Sequence, residues 1–251
     1  TVAAAIPAAP PKAPAAAVAD AADALRATGP TALYLGGRAL RGNALVAAGR
    51  IAAATGARLI CETFPARMER GAGRVAVEKL PYFGEQAADY LKDFTAIIFV
   101  GAEPPVSFFA YPGKPSWLSP EGARLVRLAS LREDAEDALT ALAAALDAPA
   151  EPGLIQPAGI PTAPDGPLNL MSMGAIVAEL MPADAIVSDE AATAGMALYP
   201  MTAGAAPHDW MTLTGGAIGQ GLPLAVGAAI ACPDRKVLAL QADGSGMYTC
   251  Q

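Results

Sequence analysis

An α/β fold of doubly wound parallel sheets is the class that this 251-residue sequence predicts. Three observations point to it. Short apolar runs alternate with longer helical stretches. Several of those runs close on glycine or on acidic residues. Two stretches rich in Pro, Gly and Ala divide the alternation into two series. Strands that alternate with helices are covered on both faces, so they read as continuous apolar runs in a parallel sheet.

The elements follow in chain order. Residues 1–17 (TVAAAIPAAPPKAPAAA) read as an extended Pro/Ala linker. Residues 18–28 form a helix that stops at Gly29-Pro30. TALYLGG (31–37) is a buried strand closing on two glycines. Residues 38–56 are an amphipathic helix with Gly56 at its C-terminal cap. ARLICE (57–62) is a second strand, 83–94 a helix, 95–104 a third strand and 123–129 a fourth. The helix at 131–147 carries acidic residues in its early turns, where the helix dipole favours them. The first unit is therefore 18–147, and 148–167 is a second linker with a domain boundary in it.

The second unit spans 168–251. It holds a helix (168–182), a strand (184–190), a short strand and turn (209–216), a glycine-spaced helix (217–233) and a strand (235–244). These strands are too few to close a sheet of their own. The expectation is a piece of a longer chain, beginning in a linker and ending inside its second unit.

Composition narrows the function. The formal net charge is −7, against the clustered Lys and Arg that a nucleic-acid binder or a basic membrane-surface protein requires. No long uninterrupted apolar run predicts a membrane span, and no signal-peptide pattern opens the sequence. Cys61, Cys232 and Cys250 are scattered, so no zinc site or disulfide framework is expected, and a reduced, cytoplasmic setting fits. His208 is the only histidine; with Trp210 it precedes a strand, and a surface-loop role is expected for it.

Four places offer chemistry. Gly36-Gly37 follows the first strand, but Arg38-Ala39-Leu40 breaks the GxGxxG spacing, so a tight strand-to-helix turn is the first reading. Asp189-Glu190 ends a strand, where open α/β sheets bind ligands; a polar loop capping the next helix is the equal alternative. TGGAIGQGLPLAVGAA (214–229) has more glycines than a helix tolerates without a reason, such as close approach of a backbone or a ligand. Gly215-Gly216 lie ahead of that helix, where backbone groups are free. Finally, Asp243-Gly244-Ser245 places a carboxylate, free N–H groups and a hydroxyl at a strand end, a setting for Mg²⁺ shared with a phosphate. An aromatic, proline-containing loop, 103–116 (EPPVSFFAYPGKPS), either lines a channel or packs on a neighbour.

GGAIGQGLPLAVGAA followed by ADGSG resembles the thiamine-diphosphate-dependent decarboxylase and carboligase family, which includes acetolactate synthase large subunits, benzoylformate decarboxylase and pyruvate decarboxylase. The resemblance implies a central Rossmann-like domain followed by the first half of a diphosphate-binding domain. It implies thiamine diphosphate and Mg²⁺ as cofactors, and a lyase or transferase acting on a 2-oxo acid or related acyl donor. Asp243 would bind the metal, and Gly244 and Ser245 the diphosphate, together with the earlier turn at Ala192 and Thr193. Gly216 would accept a hydrogen bond from the cofactor's amino group, and Ile218 would prop the cofactor in its bent shape; a helix-core role is the alternative for Ile218. Ala242 departs from the family's usual GDG. The activating glutamate belongs to a family domain absent from this sequence, so no catalytic residue is expected in this chain, nor turnover by it alone. FAD is not expected. The family works as homodimers or homotetramers. The competing reading is a non-catalytic nucleotide- or CoA-binding, scaffold or regulatory protein that keeps the fold.

Overall fold

The computed structural model describes residues 8–162 and 164–251. The first seven residues of the expected N-terminal linker, and Ala163 of the second, lie outside the described residues. The first helix, α1 (Ala15–Arg26), begins inside the stretch read as extended linker. Alanine is the best helix former, and Pro14 sits at the N-cap, where its missing N–H and fixed φ cost nothing. Then follow β1 (Thr31–Leu35), a 3₁₀ turn (Gly37–Leu40), α2 (Gly42–Thr55), β2 (Arg58–Cys61), β3 (Met68–Arg70) and β4 (Glu78–Lys79). They are succeeded by α3 (Gly84–Leu91), β5 (Ala96–Val100), β6 (Arg124–Ala129) and α4 (Ala135–Ala145). Gly56 caps α2 at φ 73°, donating its N–H to Ala52, as its position in the sequence indicated.

Five of these strands form one parallel sheet in the order β4-β2-β1-β5-β6. Alternation along the strands feeds two cores. Leu33, Leu35, Ile98 and Val100 pack with α1, α2 and α4 on one face. Tyr34, Ile60, Ile97 and Phe99 pack with Leu91 of α3 on the other. The sheet is doubly wound, and its order reverses at the β1/β5 boundary.

The later residues give α5 (Leu170–Leu180), β7 (Ala185–Glu190), α6 (Gly195–Met201), β8 (His208–Met211), α7 (Gly221–Ala231), β9 (Val237–Gln241) and the single turn α8 (Asp243–Gly246). A capping box closes the start of α5: Asn169 accepts from the Ser172 amide, and Ser172 Oγ accepts from the Asn169 amide.

The second sheet runs β3-β8-β7-β9. Its edge strand β3 comes from the first unit and lies antiparallel to β8. The expectation of parallel sheets fails at this edge, and the sequence does not announce it: Met-Glu-Arg has no strand pattern of its own and is extended because β8 offers it an edge. Arg70 of β3 is buried, donating to Thr202 Oγ1 at 2.9 Å and to the Tyr199 carbonyl at 2.7 Å, with its guanidinium 3.9 Å from the Tyr199 ring centre. Lys79 brings a second cation to the same ring at 4.0 Å.

Two further corrections follow. His208 is not on a surface loop; with Trp210 it is buried in β8, which both β3 and β7 flank. The glycine-spaced helix begins at Gly221 rather than 217, because Gly219 has φ 92° and cannot sit in a right-handed helix. No helix among the described residues is long and apolar enough to cross a membrane.

Candidate cofactor site

β7, β8 and β9 are mutually parallel, with β7 in the middle, so their C-terminal ends share one rim. Three connections leave it. The first, after Glu190, turns through Ala192 at φ 47°, a left-handed conformation that costs a non-glycine residue about 1 kcal/mol. Thr193 beside it is exposed, and its hydroxyl has no hydrogen bond to a described residue. The second, after β8, passes through Gly215 (φ 65°) and Gly216 (φ 68°) to Gly219. Thr214 Oγ1 donates to Gln220 Oε1 at 2.9 Å, and Gln220 Nε2 donates to the Thr212 carbonyl at 3.2 Å, which folds this loop back on itself. Ile218 is 59% exposed in it, so the helix-core alternative for that residue is ruled out by its position ahead of α7.

The third connection is Ala242–Gly246. Asp243 is exposed at the start of α8, with no side-chain bond to a described residue. The amides of Gly244 and Ser245 precede the first amide bonded within the turn, Gly246 to Ala242 O at 2.9 Å. The Ser245 hydroxyl is turned inward: it accepts from Gln241 Nε2 at 2.6 Å and donates to the Ala242 carbonyl at 3.2 Å. Ser245 therefore offers the rim its N–H rather than its hydroxyl. A Cβ built on Gly215, Gly216 or Gly244 would meet nothing within 4 Å. These glycines border open space.

Beneath the rim lies a residue singled out by the sequence as a candidate with an equal structural alternative. Glu190 is 5% exposed. Its carboxylate accepts the amides of Gly219 at 2.5 Å and Gly221 at 2.7 Å, and Gln241 Nε2 at 3.1 Å. Asp189 instead caps its own turn through the Ala191 amide and accepts Trp210 Nε1 at 3.2 Å. The role of Gln241 was not legible, since nothing in the run VLALQ marks its last residue as a hub.

The electrostatics of the rim are one-sided. Its three connections carry one acidic residue, the exposed Asp243, and no Lys or Arg, and the carboxylate of Glu190 lies buried beneath them. A diphosphate bound there would find N–H donors but no basic side chain, so it requires a cation of its own. Among the described residues no group of three or more His, Cys, Asp or Glu side chains gathers to cage a metal. Asp243 is suited to one ligand position, with phosphate oxygens taking others, in the manner of Mg²⁺.

The first sheet has its own rim feature. Gly36 and Gly101 meet across the β1/β5 switch point, where a Cβ on Gly36 would lie 2.3 Å from the Gly101 carbonyl. Beside them a cleft of about 120 Å³ is lined by Gly37, Arg38, Arg41, Arg67, Ser130 and Glu133. Burial, then the neighbouring Arg67 and Arg38 charges, holds the Arg41 guanidinium below its usual range.

Residues 191–251, which include all three of these connections and the partners of Glu190, match the family described as thiamine pyrophosphate enzyme, C-terminal TPP binding domain. Over 235 residues, 92% of its length, the chain is 51% identical to the Mycobacterium tuberculosis protein IlvX, provisionally named an acetolactate synthase large subunit. Residues 191–251 belong to the thiamine-diphosphate-dependent enzyme family. The chain is also 39% identical over 99 residues to the acetolactate synthase isozyme 1 large subunit of Escherichia coli, a match covering 38% of this chain and 17% of that one. The 4-hydroxybenzoylformate decarboxylase of Rhodococcus jostii RHA1 superposes on 98% of the chain with TM-score 0.75 at 24% identity. Benzoylformate decarboxylase from Polynucleobacter necessarius does so, also over 98%, with TM-score 0.71 at 18% identity. At those identities the likeness is one of fold. The chain spans 45% of the length of IlvX and about half of each solved structure (49% and 50%).

Proposed function

We propose that this chain is the central unit and the first part of the diphosphate-binding unit of a thiamine-diphosphate- and Mg²⁺-dependent lyase or carboligase. Its substrate is a 2-oxo acid or a related acyl donor, in acetolactate synthase-like chemistry. One observation carries the reading: a rim of open glycine loops that exposes the carboxylate of Asp243 and carries no basic side chain. Such a rim accepts a diphosphate only together with a divalent cation. The amides of Gly244 and Ser245 and the turn at Ala192-Thr193 would face the phosphates, Asp243 the metal, and Gly216 and Ile218 the ring system. When bound, thiamine diphosphate supplies an electron sink for decarboxylation of 2-oxo acids. This chain's part is to bind and orient it. The acid–base group that activates the cofactor, and the second subunit of a homodimer or homotetramer, are supplied from outside these residues. The 251 residues alone do not turn over substrate, and the setting is cytoplasmic.

The test is calorimetric titration of thiamine diphosphate into the metal-free natural-length protein, with and without Mg²⁺. Binding should strengthen at least tenfold with Mg²⁺, and Asp243→Ala should abolish that gain. Equal affinity in EDTA would overturn the metal assignment, and no binding under either condition would overturn the cofactor assignment.

The cleft of Arg38, Arg41 and Arg67 favours a second reading, in which the first unit binds a nucleotide or CoA through its phosphates. Three arginines and one glutamate line it; Arg67 pairs with Asp209, which leaves Arg38 and Arg41 to meet a polyanion. Protection of the chain against thermal unfolding by ADP or CoA, lost in Arg41→Ala, would support it; no protection would remove it.

A further inference from the structure

We infer that Glu190 and Gln241 form a positioning clamp that sets the spacing of the cofactor loops before any ligand arrives; the inference rests on the cofactor reading above. The argument is one of donor and acceptor count. Three N–H groups from two different segments converge on the two carboxylate oxygens of Glu190: the Gly219 amide, the Gly221 amide and Gln241 Nε2. Every neighbour is a donor, so the position calls for a side chain that only accepts. Glutamine, the same in shape, would turn an NH₂ group toward other N–H groups.

Gln241 extends the clamp. Its amide donates once to Glu190 and once to Ser245 Oγ, which links the glycine loop to the turn that carries Asp243. Its Oε1 is buried and has no partner among the described residues. An orphaned buried acceptor is costly, and here it accompanies both donations.

The surroundings are packed as a fixed point. A Cβ on Gly221 would lie 2.4 Å from Gln241 Oε1 and 2.8 Å from Glu190. Thr249 Oγ1 holds the Gly219 carbonyl at 2.7 Å. Ser188 Oγ donates to the Gly221 carbonyl at 2.9 Å. One end of the glycine loop is thus immobilised by Glu190, while Gly215 and Gly216 at its other end face open space. Glu190 touches loop backbone rather than the open rim, which makes it a positioning residue.

The experiment uses Glu190→Gln in the natural-length protein, with two readouts. Hydrogen exchange at the Gly219 and Gly221 amides, measured without cofactor, should accelerate at least tenfold beyond any change in global unfolding. The Kd for thiamine diphosphate with Mg²⁺ should rise about ten- to a hundredfold. The swap Glu190→Gln/Gln241→Glu, which restores an acceptor between the segments, should recover part of the affinity. Gln241→Leu supplies a second variant should Glu190→Gln not fold: it should weaken Mg²⁺-dependent binding while leaving Gly219 and Gly221 protected. Unchanged exchange at both glycines overturns the clamp whatever the cofactor does. Accelerated exchange with unchanged Kd overturns its role in binding. A wild-type protein that binds no thiamine diphosphate, with exchange still accelerated in the variant, overturns the cofactor reading and leaves the clamp standing.

Discussion

Each of the two sheets ends in a glycine-bearing rim, and the glycines serve opposite purposes. On the first sheet Gly36 and Gly101 exist so that two backbones can touch; a Cβ on either would lie 2.3 or 2.6 Å from the other's carbonyl oxygen. On the second, a Cβ on Gly215, Gly216 or Gly244 would meet nothing within 4 Å. The helices behind the rims differ in the same sense. α2 buries Leu45, Ile51 and five small residues. α7 is apolar along its length yet buries only Gly221 and Ala225, leaving Val226 and Ile230 at 59% and 78% exposure. A helix apolar on all sides belongs in an interior. Glycine in a βα turn therefore does not report its own purpose: the same residue marks a closed seam in one sheet and a cradle in the other.

The largest effect should come from closing the seam. Gly36→Ala forces a methyl group into the Gly101 carbonyl and should cost about 3 kcal/mol, read from urea unfolding. A loss under 1 kcal/mol would mean that the first rim yields, and the contrast with the second would fail.

The next test concerns the opposite end of the second sheet, where β8 begins at a buried histidine. Burial lowers the His208 pKa to about 4, with Nδ1 held against the Ala206 carbonyl at 2.7 Å and Nε2 without a partner among the described residues. The folded state disfavours the proton that the unfolded state takes up near its ordinary pKa of 6.5. The neutral ring's advantage is therefore fully present above that pH and is lost as pH falls toward 4, by up to about 3 kcal/mol. Unfolding midpoints at pH 7 and pH 4.5 should diverge less in His208→Asn than in the wild type. An equal fall in both would show that the histidine is not the buried group responsible.

Smaller effects are expected on the open rim. Gly216→Ala places alanine at φ 68° without a clash and should cost about 1 kcal/mol, from backbone conformation alone. Gly244→Ala should change stability by less than about 0.5 kcal/mol while weakening thiamine diphosphate binding in the calorimeter. A stability loss comparable to that of Gly36→Ala would show the second rim to be packed after all.

Much of the first sheet was legible, because its strands carry their own signal. TALYL and AIIFV are five-residue apolar runs, and both are buried throughout. Glycine at position 56 and the acidic start of α4 marked helix ends by local chemistry, and Asp134 does cap α4 through the amides of Glu136 and Asp137. The rim at 190, 212–220 and 242–246 was legible as a set, since strand ends and glycines converge wherever the strands are parallel. What escaped depended on neighbours distant in sequence. Met68–Arg70 is a strand only because β8 lies beside it. α6 contains Pro200, which argues locally against a helix, yet it packs along α5 through Gly174 and Met201. His208 looked like a loop residue because its polarity is offset by one backbone carbonyl and its burial by Trp210 and the strands on either side. Gln241 gained its role from Glu190 and Ser245, and its own segment shows neither partnership.

The crossing of β3 into the second sheet also bears on the order in which the molecule assembles. Arg67, just before β3, meets Asp209 of β8, 142 positions further along the chain. The loop that this contact closes contains the whole of β5, β6, α4 and β7. Such closure is entropically costly and slow, so the first sheet has reason to condense early and hold out residues 68–70 as an edge on which β8 then docks. The platform beneath the cofactor loops would be among the last parts to form, and a cut made at the apparent boundary near 148–167 would leave each fragment without a strand that the other fragment's side of the fold supplies or requires.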